Sequence, residues 1–431
     1  MLFTPVAAAA HYRLVIVGGG TGGCALTHVC KHLVNKGQLA IVEKHKKERL
    51  MRIKEHHYQA GYTLVGGGMK TLKSCIRPMK EVFHRDAVWL QNYVSEFHPK
   101  TSSIVLDDGL EVKYDMLLIA VGLELRYDMV KGLPEAFNAA GLCSIYYSGF
   151  VEKTYKELSS FKGGNAIFTF PNTPIKCAGA PQKICYLAEE IFRKRGVRDK
   201  TTVMYNTSLG AIFGVKKYAE ALLKIVKERS IQLNTRRNLS EVDISTKQAV
   251  FQVLDDNAKP TGKVESFEYD LLHVAPPCSP VKALRECAEL TDNNGWLDVD
   301  QKTLLSKRFD NIFGVGDCMN TANAKTGAAV SSQLRTLNVN IPAALKGKPL
   351  SGVYDGYASC PLMVTSRTVI LAEFTPDGPM ETLPINQAKP RYSAALLKRY
   401  FLPILYWHFL VKGLWFGPAV IRKVLHLGFV K

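Results

Sequence analysis

The sequence predicts an α/β architecture: two Rossmann-like, doubly wound domains followed by a C-terminal region of different character. Three observations predict it. A buried strand runs through a glycine cluster into a helix at residues 13–34. A second strand–helix series begins near residue 165. A strand ending in Gly-Asp returns at residues 309–317, long after the first series has closed. The chain has 431 residues, too many for one ordinary domain and suited to two or three. Hydrophobic residues make up 47% and charged residues 22%, which excludes wholesale disorder.

The elements follow in order. Residues 13–17 (RLVIV) read as a short buried strand, 24–34 as a helix and 38–43 (QLAIVE) as the next strand, a βαβ opening. Residues 114–121 (YDMLLIAV) form another buried strand that ends at Gly122. The second series has strands at 165–170, 202–205 and 271–275, with a helix at 216–228. Residues 354–361 (YDGYASCP) are expected to be turn-rich and 369–374 to be a strand. The expected domains are 11–125 with 290–345, then 126–289, then 346–431.

The glycine cluster carries the first chemistry. Gly18-x-Gly20-x-x-Gly23 lies between a strand and a helix, and Glu43 ends the next strand. Gly18 permits the tight turn, Gly20 lets backbone approach a pyrophosphate, and Gly23 lets helix and strand pack closely. Thr21 and Gly22 complete the loop, and the helix N-terminus supplies amides to an anion. Glu43 can accept from ribose hydroxyls. This is a dinucleotide site, and the motif alone does not separate NAD from FAD. Gly122 after one strand and Asp317 after another favour FAD, with Asp317 placed to bind a ribityl chain. The corresponding second loop, residues 204–214, holds only two glycines, and Leu209, Ile212 and Phe213 would crowd a pyrophosphate. A tightly bound nicotinamide cofactor is therefore not expected there, and the electron donor should be smaller.

The net charge of +18 favours anionic partners without choosing among them. The basic residues are spread along the chain and are not gathered into aromatic-interleaved patches, so nucleic acid is not expected. The ten cysteines form no CxxC pair and no metal-like cluster. Two stand in unusual settings. Cys177 lies in PIKCAGAP, between a strand and a helix and flanked by Lys176 and Lys183; Cys360 lies in YASCP. A helix N-terminus and nearby lysines raise the thiolate fraction of Cys177. Spacing alone cannot pair two residues 183 positions apart, and from the residues alone each reads first as a small core or incidental cysteine.

The N-terminal MLFTPVAAAAHY has no Arg or Lys, is too short for a secretory signal, and lacks transit-peptide character. No run of 18 uninterrupted apolar residues exists. Residues 400–429 are rich in Leu, Phe, Tyr and Trp but are broken by Lys412, Gly413, Arg422 and Lys423. Pro403 and Pro418 are expected to split them into two short amphipathic segments at a membrane interface.

The segments NAIFTFPNTPIKCAGAPQK, NTSLGAIFGVKKYAEAL, FGVGDC and YDGYASCPLM together resemble the eukaryotic mitochondrial sulfide:quinone oxidoreductases, from about residue 11 to the C-terminus. That resemblance implies a glutathione-reductase-like flavoprotein fold with FAD. It implies that Cys177 and Cys360 form the redox pair, joined by a disulfide or a bridging sulfur. Sulfide would be oxidised there, two electrons would pass through FAD to ubiquinone, and the sulfane sulfur would go to glutathione or sulfite. It places the flavin-facing sulfur on Cys177 and the persulfide on Cys360. Gln59, Val94, Gly122, Asp317 and Lys325 match flavin-contacting regions, and Lys183 and Lys398 match basic positions near the sulfur centre. Cys143 and Cys185 match no third-cysteine motif and read as structural. The resemblance also implies a mitochondrial inner-membrane location, peripheral or monotopic, through residues 397–431. The alternative is a type II NADH:quinone oxidoreductase-like flavoenzyme, against which the degraded second loop argues.

Overall fold

The computed structural model describes residues 10–43 and 55–429. Residues 1–9, which carry most of the N-terminal segment discussed above, and residues 430–431 of the C-terminal segment lie outside the described residues.

The first sheet grows around Ala10–Val17, whose last four side chains are all buried. Its neighbours are the parallel strands Leu39–Val42 and Glu111–Ile119, paired as Leu14 with Leu39 and Leu14 with Met116. Strands buried on both faces read as continuous apolar runs, which is why these were visible in the sequence. The sheet order runs Val88–Leu90, Leu39–Val42, Ala10–Val17, Glu111–Ile119, Ser103–Leu106, Val94–His98. Ile312–Gly314 pairs in parallel with Glu111–Ile119 and returns to the sheet from nearly 200 residues downstream. The helix Thr21–Cys30 begins and ends earlier than the expected 24–34, because Gly20 already stands at its N-cap.

A second sheet is wholly parallel, in the order Leu142–Cys143, Leu271–His273, Gly164–Phe170, Thr201–Thr207, Gln232–Thr235. The helices Ala180–Lys194 and Lys216–Glu228 belong to it, the latter with the bounds its periodicity predicts. An antiparallel three-stranded sheet, Arg237–Asp243, Gln248–Leu254 and Pro260–Glu268, stands beside it. One large apolar core runs through the first sheet, whose edge strands Ser103–Leu106 and Val94–His98 pair antiparallel, through the second, and into residues 394–411.

Two expectations about the C-terminal region are corrected. The turn-rich reading of 354–361 fails at its end: Ala358–Met363 is a strand, antiparallel to Val369–Thr375, with Cys360 opposite Ala372. Pro361 is tolerated there because its proline nitrogen is the only donor removed from a short ladder. Pro403 does not break the helix either. Tyr392–Leu396 continues through Leu397–Phe401, Leu402–Leu405 and Tyr406–Leu410, with α and π turns alternating. A widened turn just before Pro403 absorbs the missing N–H and the ring's clash with the preceding turn. Pro418, by contrast, does start a new helix, Ala419–Leu425. No described helix is long and apolar enough to cross a membrane.

Candidate active site

The glycine turn behaves as its spacing predicts. Gly18 has φ +101°, and a side chain there would overlap the Ala120 carbonyl. A side chain on Gly23 would overlap the Gly18 carbonyl, so the helix approaches the end of the strand this closely only because residue 23 is glycine. A Cβ on Gly20 or on Gly122 would meet nothing within 4 Å, so both face open space. Glu43 accepts from the Gly19 amide. Burial pushes its carboxyl up to about 7, against that hydrogen bond.

Across the same opening lies a polar group contributed by the second half of the chain. Lys325 donates to the Asp317 carbonyl at 2.7 Å and the Met319 carbonyl at 2.8 Å, and its ammonium rests 4.1 Å from the Trp296 ring. Burial raises the Asp317 carboxyl above the usual range, with Lys325 and Lys176 pulling the other way. Lys176 donates to Gln59 Oε1 at 2.6 Å, so Gln59 joins this group. The open faces at Gly20 and Gly122 and the half-buried acceptor Asp317 fit the phosphates and ribityl hydroxyls of FAD. Val94 pairs with Leu106 on the edge strand and follows four residues after Leu90, whose carbonyl accepts from the Glu43 amide at 3.0 Å.

The two cysteines meet. Cys177 Sγ lies 3.9 Å from Cys360 Sγ, and both are free thiols. Cys177 has φ +50°, a strained left-handed conformation for a non-glycine residue. Its amide donates to the Lys325 carbonyl at 2.8 Å, and its carbonyl accepts from the Ala180 amide and from Tyr146 Oη. Those bonds hold it three residues before the helix Ala180–Lys194. Gly179 permits the approach: a Cβ there would lie 2.6 Å from Cys360 Sγ and 2.5 Å from Leu362 Cδ2.

Lys183, on the first turn of that helix, serves both sulfurs. Its Nζ is 3.2 Å from Cys177 Sγ and 3.6 Å from Cys360 Sγ. The Cys177 thiol is held well below its ordinary range, first by the hydrogen bond from Cys360, against burial, and then by Lys183 and Lys398. Cys360 is pushed up as the donor of that pair. Burial works against the Lys183 ammonium, but the two sulfurs outweigh it and raise its pKa. Lys398, buried on the C-terminal helix, is lowered to about 8 by burial and by Lys183. Lys176, the other lysine flanking Cys177 in sequence, turns away to Gln59. Cys143 and Cys185 are buried with raised thiols, Cys143 to about 12.

A cavity of about 510 Å³ opens beside Lys325, lined in part by Ile175, Ala178, Ile212, Phe213, Trp296 and Asn323. Ile212 and Phe213, which break the second glycine loop, thus form part of its wall. Sequence reasoning missed Gly179, His56 and Tyr406. Tyr406 Oη bonds His56 Nε2 at 2.7 Å and Thr21 Oγ1 at 2.9 Å, seating the C-terminal helix on the glycine turn. No local signal marks such a contact; only the unusual aromatic density near 406 hinted that this face is used.

No family model matches the chain. It is 44% identical over 419 residues to the mitochondrial sulfide:quinone oxidoreductase of Mus musculus, covering 97% of this chain and 90% of that protein. It is 39% identical over 412 residues to the Dictyostelium discoideum protein of the same name, covering 95% and 88%. The crystal structure of the sulfide:quinone oxidoreductase from Aquifex aeolicus superposes with a TM-score of 0.77 at 18% identity, covering 98% of this chain and 96% of that one, which shows a shared fold.

Proposed function

The chain belongs to the mitochondrial sulfide:quinone oxidoreductase family and is a flavoenzyme of that activity; from that premise we propose that Cys177 and Cys360 are its sulfur centre. The observation that carries this is one buried lysine, Lys183, within 3.6 Å of both sulfurs, which themselves stand 3.9 Å apart.

In the oxidised pair, hydrosulfide attacks Cys360 Sγ, the S–S bond breaks, and Cys177 leaves as the thiolate. The assignment follows from acidity, because the sulfur with the lower thiol pKa is the better leaving group. Lys183 and Lys398 hold the negative charge that appears on Cys177. Cys360 then carries the outer sulfur as a persulfide. A nucleophile such as glutathione or sulfite takes that sulfur and leaves the Cys360 thiolate. Closing the two thiolates back to the bridge releases two electrons. FAD, when bound, supplies the two-electron acceptor between this pair and ubiquinone.

The residues Gly18, Gly20, Thr21, Gly22, Gly23, Glu43, Gln59, Val94, Gly122, Asp317 and Lys325 would hold FAD, with 11–125 and 290–345 as its domain and 126–289 as the second. The 510 Å³ cavity lies within the usual range for small organic ligands and supports a small acceptor. Region 346–431 would rest on the inner membrane. Exposed apolar side chains crowd its last turns, with Val420 73%, Val424 67%, Leu427 82% and Phe429 89% exposed.

The test is an anaerobic spectrum. Sulfide should bleach the flavin and NADH should not. Cys177→Ser and Cys360→Ser should each retain the yellow cofactor yet resist bleaching. Full bleaching in either variant would remove that cysteine from the centre.

A further inference from the structure

A second cavity, of about 420 Å³, lies away from the sulfur centre, where the C-terminal helix meets a hairpin tip. Its walls are Ser366 and Arg367 from the turn between Ala358–Met363 and Val369–Thr375, and Tyr392, Leu396, Arg399 and Tyr400 from the helix. Thr365 fixes the turn, its Oγ1 accepting from the amides of Arg367 and Thr368. Arg399 lies over the Tyr400 ring at 5.6 Å. No carboxylate lines the cavity, and among the described residues neither guanidinium forms an ion pair. Glu190, the acid nearest Ser366, is already bonded to Lys194 and to the Ser366 amide and hydroxyl.

The apolar rim continues outward. Leu396 is 41% exposed and Tyr400 55%, and Phe401 and Ile404 extend the same exposed surface along the helix. The ligand that fits must therefore be anionic at one end, suited to two planar guanidinium forks, and apolar beyond it. We propose that this cavity seats the headgroup of an anionic phospholipid, its phosphodiester between Arg367 and Arg399 and its acyl chains along Leu396, Tyr400 and Ile404. The inference rests on the membrane-facing reading of residues 346–431 and adds to it one specific seat. A diffuse positive charge would not require it. The seat would fix the C-terminal helix at headgroup depth on the side that carries Lys398 to the sulfurs.

The test is vesicle co-sedimentation of the full FAD-loaded enzyme. Phosphatidylcholine vesicles are compared with vesicles containing one-fifth phosphatidylglycerol. Wild type should prefer the anionic vesicles. Arg367→Gln/Arg399→Gln should lose about thirtyfold of that preference while binding phosphatidylcholine vesicles as before and unfolding at the same temperature. Lys259→Gln/Lys263→Gln, which removes the same charge from the outer three-stranded sheet, should lose far less. Equal losses in the two variants would overturn the seat in favour of diffuse attraction. So would displacement by millimolar inorganic phosphate, which would mark a free-anion site. Absence of wild-type binding to either vesicle would instead refute the membrane-facing reading itself, and the seat with it.

Discussion

Gly179→Ala tests how closely the sulfur centre depends on backbone fit. The new methyl would stand 2.6 Å from Cys360 Sγ, about 0.8 Å short of the 3.4 Å at which ordinary contact begins, and 2.5 Å from Leu362 Cδ2. Leu362 can turn a rotamer. Cys360 has less freedom, because its strand is paired on one side with Val369–Thr375 and its side chain already touches Cys177 and Lys183. Relief therefore comes from displacing Cys360 by most of an ångström. Misplacement on that scale can cost about a hundredfold in a reaction between positioned groups, so a loss of roughly tenfold to a hundredfold is expected. Overpacking should also cost about 1–3 kcal/mol of stability. The assay is stopped-flow bleaching of the flavin by sulfide without oxygen, alongside flavin content and thermal unfolding. Retained flavin with slowed bleaching is the expected pattern. Wild-type bleaching rates in a fully folded variant would show that the centre does not need this close approach.

Lys183→Met should raise the Cys177 thiol pKa, because an ammonium that favours the thiolate has been removed; alkylation of the reduced enzyme by iodoacetamide should shift its pH profile upward, and Lys183→Arg should restore much of it. An unmoved profile would assign the acidity of Cys177 to Cys360 alone. His273 is wholly buried, accepts from the Ile145 amide, and is lowered to about 3 by burial. Only the unfolded chain takes up its proton near pH 6.5, so this histidine's contribution is complete above pH 6.5 and falls as pH drops toward 3. Between pH 6.5 and 5 the loss is about 2 kcal/mol, and chemical denaturation of His273→Gln should show a correspondingly shallower decline. Tyr406→Phe removes the bonds to His56 and Thr21, and should cost about 1–2 kcal/mol and speed proteolysis within 392–425; an unchanged cleavage rate would mean that packing alone seats the helix.

What the sequence by itself determined is what neighbouring residues decide among themselves. Gly18 and Gly23 announce their turn because the clash each avoids lies within that turn or beside it at Ala120, and Gly20 because it leaves the mouth of the turn open. The helix Lys216–Glu228 is legible because an amphipathic period repeats along one element. The same locality misled at two places. YDGYASCP looks like turn, yet Cys360 lies in a strand whose partner is supplied by residues 369–375. Pro403 looks like a break, yet the surrounding packing sustains the helix through widened turns.

The tertiary structure decided everything that depends on distance through space. Nothing around Cys177 in the chain specifies that Cys360, 183 residues later, is its neighbour, that Lys183 bridges them, or that Lys398 closes the site from the C-terminal helix. Acidity follows from that convergence. A buried thiol surrounded by apolar atoms is pushed up, as at Cys143, whereas Cys177 is pulled down by the S–H of the distant Cys360, by Lys183 six residues along its own segment and by Lys398 from the C-terminal helix. Steric limits on the backbone act over a few residues and can be read along the chain, but electrostatic fields act across the folded interior and exist only once the fold has brought their sources together.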